Sequence, residues 1–345
     1  MTQPLNATLD RLLDGHDLSA DEAGELLQSL TAPELPPAMG GALLAALRAK
    51  GVTAEELRGL ATRMRQLARK PVLPGSGPAI DIVGTGGDRS GSFNLSTGAA
   101  LVVAACGQRV TKHGNRSVSS RAGSADVLEA LGLRLPLDEQ RAGACLAATG
   151  FTFFFAPYYH PAMKSVAPIR QALGVRTVFN ILGPLSNPAA PAYYLIGAFN
   201  LETAELMAQA LAGMPLLRAF VVHGAEGWDE PTPVGPFTLF DVHVGKVYRM
   251  QRAPADYGLA TCRTSDLAGG DAGYNARELR AVLEGRERGP HRDAIVLSAA
   301  LALELMGVAQ TPRAAVARAA QAIDGGATAE LLGKLAAFAA GSGGP

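Results

Sequence analysis

The sequence has no surplus charge of either sign: Lys plus Arg and Asp plus Glu both total 31, so the formal net charge is zero. A nucleic-acid binder would carry a net basic footprint, so nucleic acid is not an expected partner, although a local basic pocket for one phosphorylated ligand remains open. Cysteine is scarce and odd in number. Cys106, Cys145 and Cys262 lie far apart, so they build neither a disulfide framework nor a CxxC metal site, and a reducing cytoplasm is the expected setting. The most apolar run, 294–309, is shorter than the roughly 20 residues a membrane span needs and contains Glu304, so it reads as a buried helix and no membrane is expected. The first residues, MTQPLNATLDRLLDG, lack a basic stretch followed by an apolar core, so no signal peptide is expected. A Walker loop, GxxxxGK[ST], is also missing.

Hydrophobic residues make up 48% of the 345 positions and charged residues 18%, enough for a sizeable core and more than one typical domain length. Residues 1–70 read as entirely helical. Ser19 with Glu22 and Thr53 with Glu56 have capping-box spacing, and Leu9, Leu12, Leu13, then Leu43, Leu44, Leu47 recur on one helical face. The Pro- and Gly-rich stretch 71–78 reads as a linker. Beyond it, apolar strand-like runs at 79–85, 108–114, 151–157, 193–199 and 218–224 alternate with helical patterns at 96–106, 124–132 and 202–214. That alternation predicts an α/β domain over 79–340 with a mostly parallel sheet.

Four segments carry chemistry. In GTGGDRSGSFNLST, 84–97, glycines at a strand–helix junction let backbone approach a ligand, and Asn94, Ser96 and Thr97 open a helix whose N-terminus attracts anions. In KHGNRSVSSRAGSAD, 112–126, Lys112, Arg116 and Arg121 with Asn115, Ser119, Ser120 and Ser124 suit a polyanion such as a diphosphate. His113 by itself is better explained by a structural role than as a catalytic base. In HGAEGWDE, 223–230, the adjacent carboxylates Asp229 and Glu230 can share the shell of magnesium, whose remaining ligands are water and phosphate oxygens; DE pairs are also common on surfaces. In the fourth, 158–188, Arg170 or Arg176 could hold a substrate carboxylate through a bidentate pair, and spacing does not rank them.

GTGGD, KHGNR, SSxxGSAD, HPAMK, RTVFNILGPLSNP and DLAGGD occur in that order, and with them the chain resembles the anthranilate phosphoribosyltransferases of tryptophan biosynthesis from about Leu9 to about Leu335. The resemblance implies a small helical domain, joined by helices from about 160–188, a larger α/β domain of the nucleoside phosphorylase/phosphoribosyltransferase type, an active site between them, and a homodimer formed through the helical part. It implies transfer of a 5-phosphoribosyl group from phosphoribosyl diphosphate to anthranilate, with Mg2+ as cofactor. Position by position, Gly84, Gly87, Asp88, Ser92, Asn94, Leu95, Ser96 and Thr97 match the family's phosphoribosyl diphosphate loop. Lys112, His113, Gly114, Asn115, Arg116, Ser117, Val118, Ser119, Ser120 and Ser124 match the second half of that site. Ser96, Asp229 and Glu230 match the magnesium ligands, and Gly84, Asn115 and Arg170 the anthranilate contacts; Lys112, Asn115 and Arg170 are the residues expected at the reaction centre.

The chain departs from the family pattern at Arg89, where glycine is usual, at Ser92, at Pro231–Thr232 after the DE pair, and at Tyr274 and Ser298. These departures leave the acceptor less defined than the reaction, so the same chemistry on another aromatic amine stays open. Two other classes are a pyrimidine-nucleoside phosphorylase, disfavoured by the KHGN and DE motifs, and a non-catalytic nucleic-acid-binding relative, disfavoured by the intact GTGGD and the balanced charge.

Overall fold

A computed structural model describes residues 4–88, 90–116 and 121–341. The N-terminal layer is four helices: α1 (Leu5–Leu13), α2 (Ala20–Leu30), α3 (Pro37–Lys50) and α4 (Ala54–Leu67). The capping boxes form as the spacing predicts. Ser19 accepts from Glu22 N while Glu22 accepts from Ser19 N at the start of α2, and Thr53 and Glu56 do the same for α4. Glu56 does more than cap. Its carboxylate is fully buried and also accepts from Leu18 N at 2.9 Å and Lys50 Nζ at 3.0 Å, so one side chain joins α4 to the start of α2 and the end of α3.

A seven-stranded sheet follows, ordered β3-β2-β1-β4-β5-β6-β7. The strands are β1 (Ala79–Gly84), β2 (Arg109–Gly114), β3 (Phe151–Phe155), β4 (Tyr193–Gly197), β5 (Arg218–His223), β6 (Phe237–His243) and β7 (Lys246–Arg252). The first five are parallel, and β6 and β7 add an antiparallel edge. The helices between and after them are α5 (Leu95–Ala105), α6 (Ser124–Ala130), α7 (Glu139–Thr149), α8 (Ala156–Tyr159), α9 (Met163–Leu173), α10 (Phe179–Leu182), α11 (Leu201–Ala212), α12 (Ala272–Leu283), α13 (Pro290–Leu305), α14 (Pro312–Asp324) and α15 (Ala327–Ala340). No helix among the described residues is long and apolar enough to cross a membrane.

The period-two alternation of the strands divides the apolar residues between two cores. Leu195, Phe220, Val222 and Leu239 join α5, α12, α13, α14 and α15 on one face; Tyr194, Ile196, Ala219, Val221, Phe240 and Val242 join α2, α3, α4, α9 and α11 on the other. The helical layer is thereby fastened to the sheet by apolar packing. A buried polar contact adds to it: Arg65 on α4 donates to Leu185 O at 2.7 Å and to the Tyr194 hydroxyl at 3.0 Å.

The β6–β7 hairpin was not among the strands expected from sequence. Its turn is Val244–Gly245, both at positive φ (51° and 72°), where Asn-Gly or Asp-Gly is the usual signal. The strand run at 151–157 is also cut short, because Ala156–Tyr159 turn into a helix after Phe155.

Glu56→Ala should lower stability by about 3 kcal/mol, since it leaves the Leu18 and Thr53 N–H groups and the Lys50 ammonium without their buried acceptor. Urea denaturation checks this; a loss below about 1 kcal/mol would mean that water replaces the carboxylate.

Candidate active site

All five parallel strands end on the same side, and the strand order reverses at β1, which places the loops after β1, β2 and β5 around one crevice. Across the crevice stand α9 and α10 of the helical layer. The cavity between them is about 1090 Å3.

On the sheet side, the loop after β1 bends through Gly86 and Gly87, both at left-handed φ (68° and 79°) that glycine adopts without strain. Gly84, which lines the cavity, also has a packing role. A Cβ there would overlap the Asp229 carboxylate, and a Cβ on Gly197 of β4 would overlap the Asp229 main chain. These glycines let the loop after β5 lie directly on β1 and β4. Asp229 Oδ2 then accepts from Gly86 N at 2.6 Å, the Asp229 N–H donates to Asp88 Oδ2 at 3.3 Å, and Glu230 Oε1 accepts from Ser96 N at the start of α5 at 3.3 Å.

Asp88, Asp229 and Glu230 therefore converge. Burial pushes the Asp229 carboxyl well above the usual carboxylate range, and the neighbouring Asp88 and Glu230 charges push it further; burial likewise raises Glu230, with Lys112 opposing. Asp229 is buried and Asp88 and Glu230 beside it are part-buried, so negative charge gathers here, with Lys112 the cation that opposes it at Glu230. Among the described residues no cage of three or more His, Cys, Asp or Glu ligands is present. A magnesium ion fits that arrangement, because it takes one or two carboxylates and fills its remaining positions with water and phosphate oxygens.

Lys112 on β2 is 1% exposed. Its Nζ donates to Ile82 O and lies 3.3 Å from Ser96 Oγ. Burial lowers its affinity for the proton, while Asp81 and Glu230 raise it. Asn94 is held by Asn275 Nδ2 at 2.8 Å and donates to Ala122 O at 3.3 Å, and the segment 267–269 pairs with 91–93, so DLAGGD braces the phosphate loop from behind. Arg116 turns away toward α6, bonding Asp126 at 3.1 Å and Glu129 at 2.8 Å, so its charge is already matched.

On the helical side, Arg170 of α9 is half-buried, sits over the Phe179 ring at 5.3 Å and has no carboxylate partner among the described residues. Burial lowers its pKa. Arg176, which spacing could not separate from Arg170, does something different: it donates to Gly87 O and stacks on Phe199 at 4.1 Å, tying the helical layer to the phosphate loop.

Gly84, Gly87, Asp88, Ser92, Asn94, Ser96, Thr97, Lys112, His113, Gly114, Asn115, Arg116, Ser124, Arg170, Asp229 and Glu230 all line this cavity. Leu95 does not; its side chain is fully buried in the core beneath the loop. Ser117, Val118, Ser119, Ser120 and Arg89 lie outside the described residues. Of the other departures, Pro231 is buried behind the DE pair, Tyr274 is 37% exposed, and Ser298 is buried inside α13 without a hydrogen-bond partner.

The sequence reading passed over His160, which lines the cavity and meets His113 edge-on at 5.0 Å between ring centres. Its one signal was the HPAMK motif. Burial, with the nearby Lys70 charge, drops the His160 pKa to about 4, and burial holds His113 well below its ordinary value, so both rings are neutral at pH 7.

The fold and cavity define a two-domain glycosyl transferase. Residues 6–68 match the helical bundle domain of a glycosyl transferase family and residues 76–329 its a/b domain. The anthranilate phosphoribosyltransferase of Methylobacterium nodulans is 46% identical over 330 residues, covering 95% of this chain and 97% of that protein; the one from Rhodospirillum rubrum is 44% identical, covering 98% of each. The crystal structure of the Thermus thermophilus enzyme superposes with a TM-score of 0.90 at 43% identity, covering 96% of this chain and 99% of that one. The Saccharomyces cerevisiae enzyme in complex with PRPP and Mg gives 0.88 at 28%, covering 98% of each chain. This chain belongs to the anthranilate phosphoribosyltransferase family.

The two histidines set a pH dependence of stability. Unfolded, His160 takes a proton near its ordinary value of 6.5; folded, it resists protonation until about pH 4. In that window the unfolded chain binds more protons, so stability falls as pH is lowered, by up to about 1.4 kcal/mol per pH unit for this one group. Urea midpoints between pH 7 and 4.5 should fall for the native chain and fall less steeply for His160→Gln. Equal slopes would show that His160 protonates freely in the fold.

Proposed function

We propose that the chain transfers the 5-phosphoribosyl group from phosphoribosyl diphosphate to anthranilate, giving N-(5-phosphoribosyl)anthranilate and diphosphate. The observation that carries this reading is one cavity with two unlike walls. Lys112, the N-terminus of α5 and the Asp229–Glu230 pair line the sheet side, and Arg170, which has no carboxylate partner among the described residues, lines the helical side. The first wall suits a diphosphate with a metal ion, the second a small carboxylate-bearing acceptor. The Saccharomyces cerevisiae relative occurs in complex with PRPP and Mg and with 4-fluoroanthranilate, which supports the same pair of ligands here.

In the reaction, the bond between the ribose anomeric carbon and a diphosphate oxygen breaks, its electron pair leaving with diphosphate. The ring passes through an oxocarbenium-like state, the amine nitrogen bonds the anomeric carbon from the opposite face with inversion, and the amine proton then passes to water or to the acceptor's own carboxylate. Magnesium, held by Ser96, Asp229 and Glu230 when bound, would supply charge neutralisation on the diphosphate. Lys112 would donate to the leaving oxygens from a position already fixed by Ile82 O and Ser96 Oγ. The α5 N-terminus and Asn94 would hold the phosphate groups. Arg170 and Asn115 would orient the acceptor so that its amine faces the anomeric carbon, and this positioning supplies much of the rate for a weakly basic amine. The resemblance further supports a homodimer formed through the helical part, and the dispersed cysteines suit a reducing cytoplasm.

Asp229→Asn with Glu230→Gln should remove most turnover at ordinary magnesium while circular dichroism stays native; activity within about threefold of the parent, under roughly 0.7 kcal/mol of transition-state stabilisation, would sink the metal assignment.

Arg170→Ala tests the acceptor. Losing a charge-assisted hydrogen bond worth about 1.5–3 kcal/mol should raise the KM for anthranilate on the order of ten- to a hundredfold and leave that for phosphoribosyl diphosphate nearly unchanged. Aniline, lacking the carboxylate, should be a poor substrate for the parent and no worse for the variant. Equal losses with both acceptors would refute carboxylate recognition by Arg170.

A further inference from the structure

The neighbouring strands β1 and β2 stop pairing partway along their length. β1 pairs with β4 from Ile80↔Tyr193 to Gly84↔Gly197, and β2 pairs with β3 from Val110↔Phe151 to Gly114↔Phe155, yet β1 and β2 pair only at Ala79↔Arg109 and Ile80↔Val110. Had their ladder continued in register, Ile82 would exchange bonds with its neighbours on β2, its N–H reaching Thr111 O and its carbonyl accepting from His113 N. Buried backbone groups released in this way need other partners.

Side chains provide them. Asn187 Nδ2 donates to Thr111 O at 2.7 Å and to Asp81 Oδ2 at 2.8 Å, Asp81 Oδ1 accepts from His113 N at 3.1 Å, and Ile82 O accepts from Lys112 Nζ. Asp81 and Asn187 are both completely buried, and Asn187 Oδ1 accepts from Ala189 N at 2.9 Å, so both donors and the acceptor of the amide are used. Asn187 arrives on the segment leading from α10 into β4, on the helical-layer face of the sheet, whereas Lys112 points to the α5 face.

We propose that Asp81 and Asn187 act as a polar wedge that keeps β1 and β2 apart and thereby positions Lys112 for the diphosphate. Both are positioning residues, since neither lines the cavity. The coupling is geometric: a closed ladder would give Ile82 O to His113 N, and Lys112 would lose the carbonyl that anchors its ammonium. The Asp81 carboxylate adds a charge that favours protonated Lys112 through the sheet. The proposal rests on the reading above only in taking diphosphate as the ligand.

The test is a double-mutant cycle on the full-length protein, read by calorimetric affinity for inorganic diphosphate in the presence of magnesium, with no acceptor present. Asp81→Asn keeps the size but removes the charge and one acceptor facing Asn187. It should weaken diphosphate binding about tenfold in the Lys112 protein and less than about threefold in the Lys112→Ala background, because the effect passes through Lys112. Asn187→Ser, read in the same two backgrounds, should behave alike, and decides the question if Asp81→Asn does not fold. Equal losses in both backgrounds, or no loss in either, overturn the proposal, since a residue that merely stabilises the fold acts whether or not Lys112 is present. A native chain that binds diphosphate but does not convert anthranilate defeats the functional reading and leaves this cycle valid. One that binds no diphosphate defeats both.

Discussion

A lysine ammonium buried in the middle of a parallel sheet is the constraint around which this protein is arranged. Taking that charge out of water is costly unless it is hydrogen-bonded and faces opposite charge. A continuous sheet offers it nothing, because every carbonyl is already engaged in the ladder. Lys112 is accommodated because β1 and β2 separate beyond Ile80 and Val110, which frees Ile82 O, and because Glu230 and Asp81 supply negative charge from either face. The buried Lys112 and the part-buried Glu230 then face each other, each moderating the desolvation of the other.

The helical layer completes this arrangement from the opposite side. Its core is continuous with one face of β4, β5 and β6, and Arg65 pins α4 to Tyr194 and Leu185 inside that contact. Because the layer is fastened there, α9 and the segment after it stand at a defined height above the strand ends. Arg170 lines the cavity and has no carboxylate partner among the described residues, while Arg176, six residues on, donates to Gly87 O. Two arginines of one segment thus differ, one facing the cavity and the other tethering a loop.

Local rules read well where local physics decides. The capping boxes at Ser19 and Thr53 need only side chain and backbone within four residues, and both form. The alternation of apolar strands and helices reports burial on both faces of a parallel sheet, and the first five strands appear where that pattern places them. The β6–β7 hairpin gave no local signal, since its turn uses Val244 at positive φ, a conformation set by the strands on either side rather than by the turn residues. Gly84 shows the converse: a glycine whose presence is visible in the sequence but whose reason is a carboxylate 145 positions away.

The sequence by itself determined the order of elements and the family, since ordered motifs survive as strings of residues. It also supplied the residue types that chemistry requires: a lysine and serines for phosphate, paired carboxylates for a metal ion, arginines for a carboxylate. Which of those groups are free to act was decided only by the tertiary structure. Arg116 is matched by Asp126 and Glu129 and Arg176 by Gly87 O, while Arg170 has no carboxylate partner among the described residues. Asp81 and Asn187, 106 positions apart, meet only because two strands separate and a distant connection fills the gap. Charge, burial and hydrogen-bond satisfaction are properties of neighbourhoods in space, and no spacing along the chain encodes them.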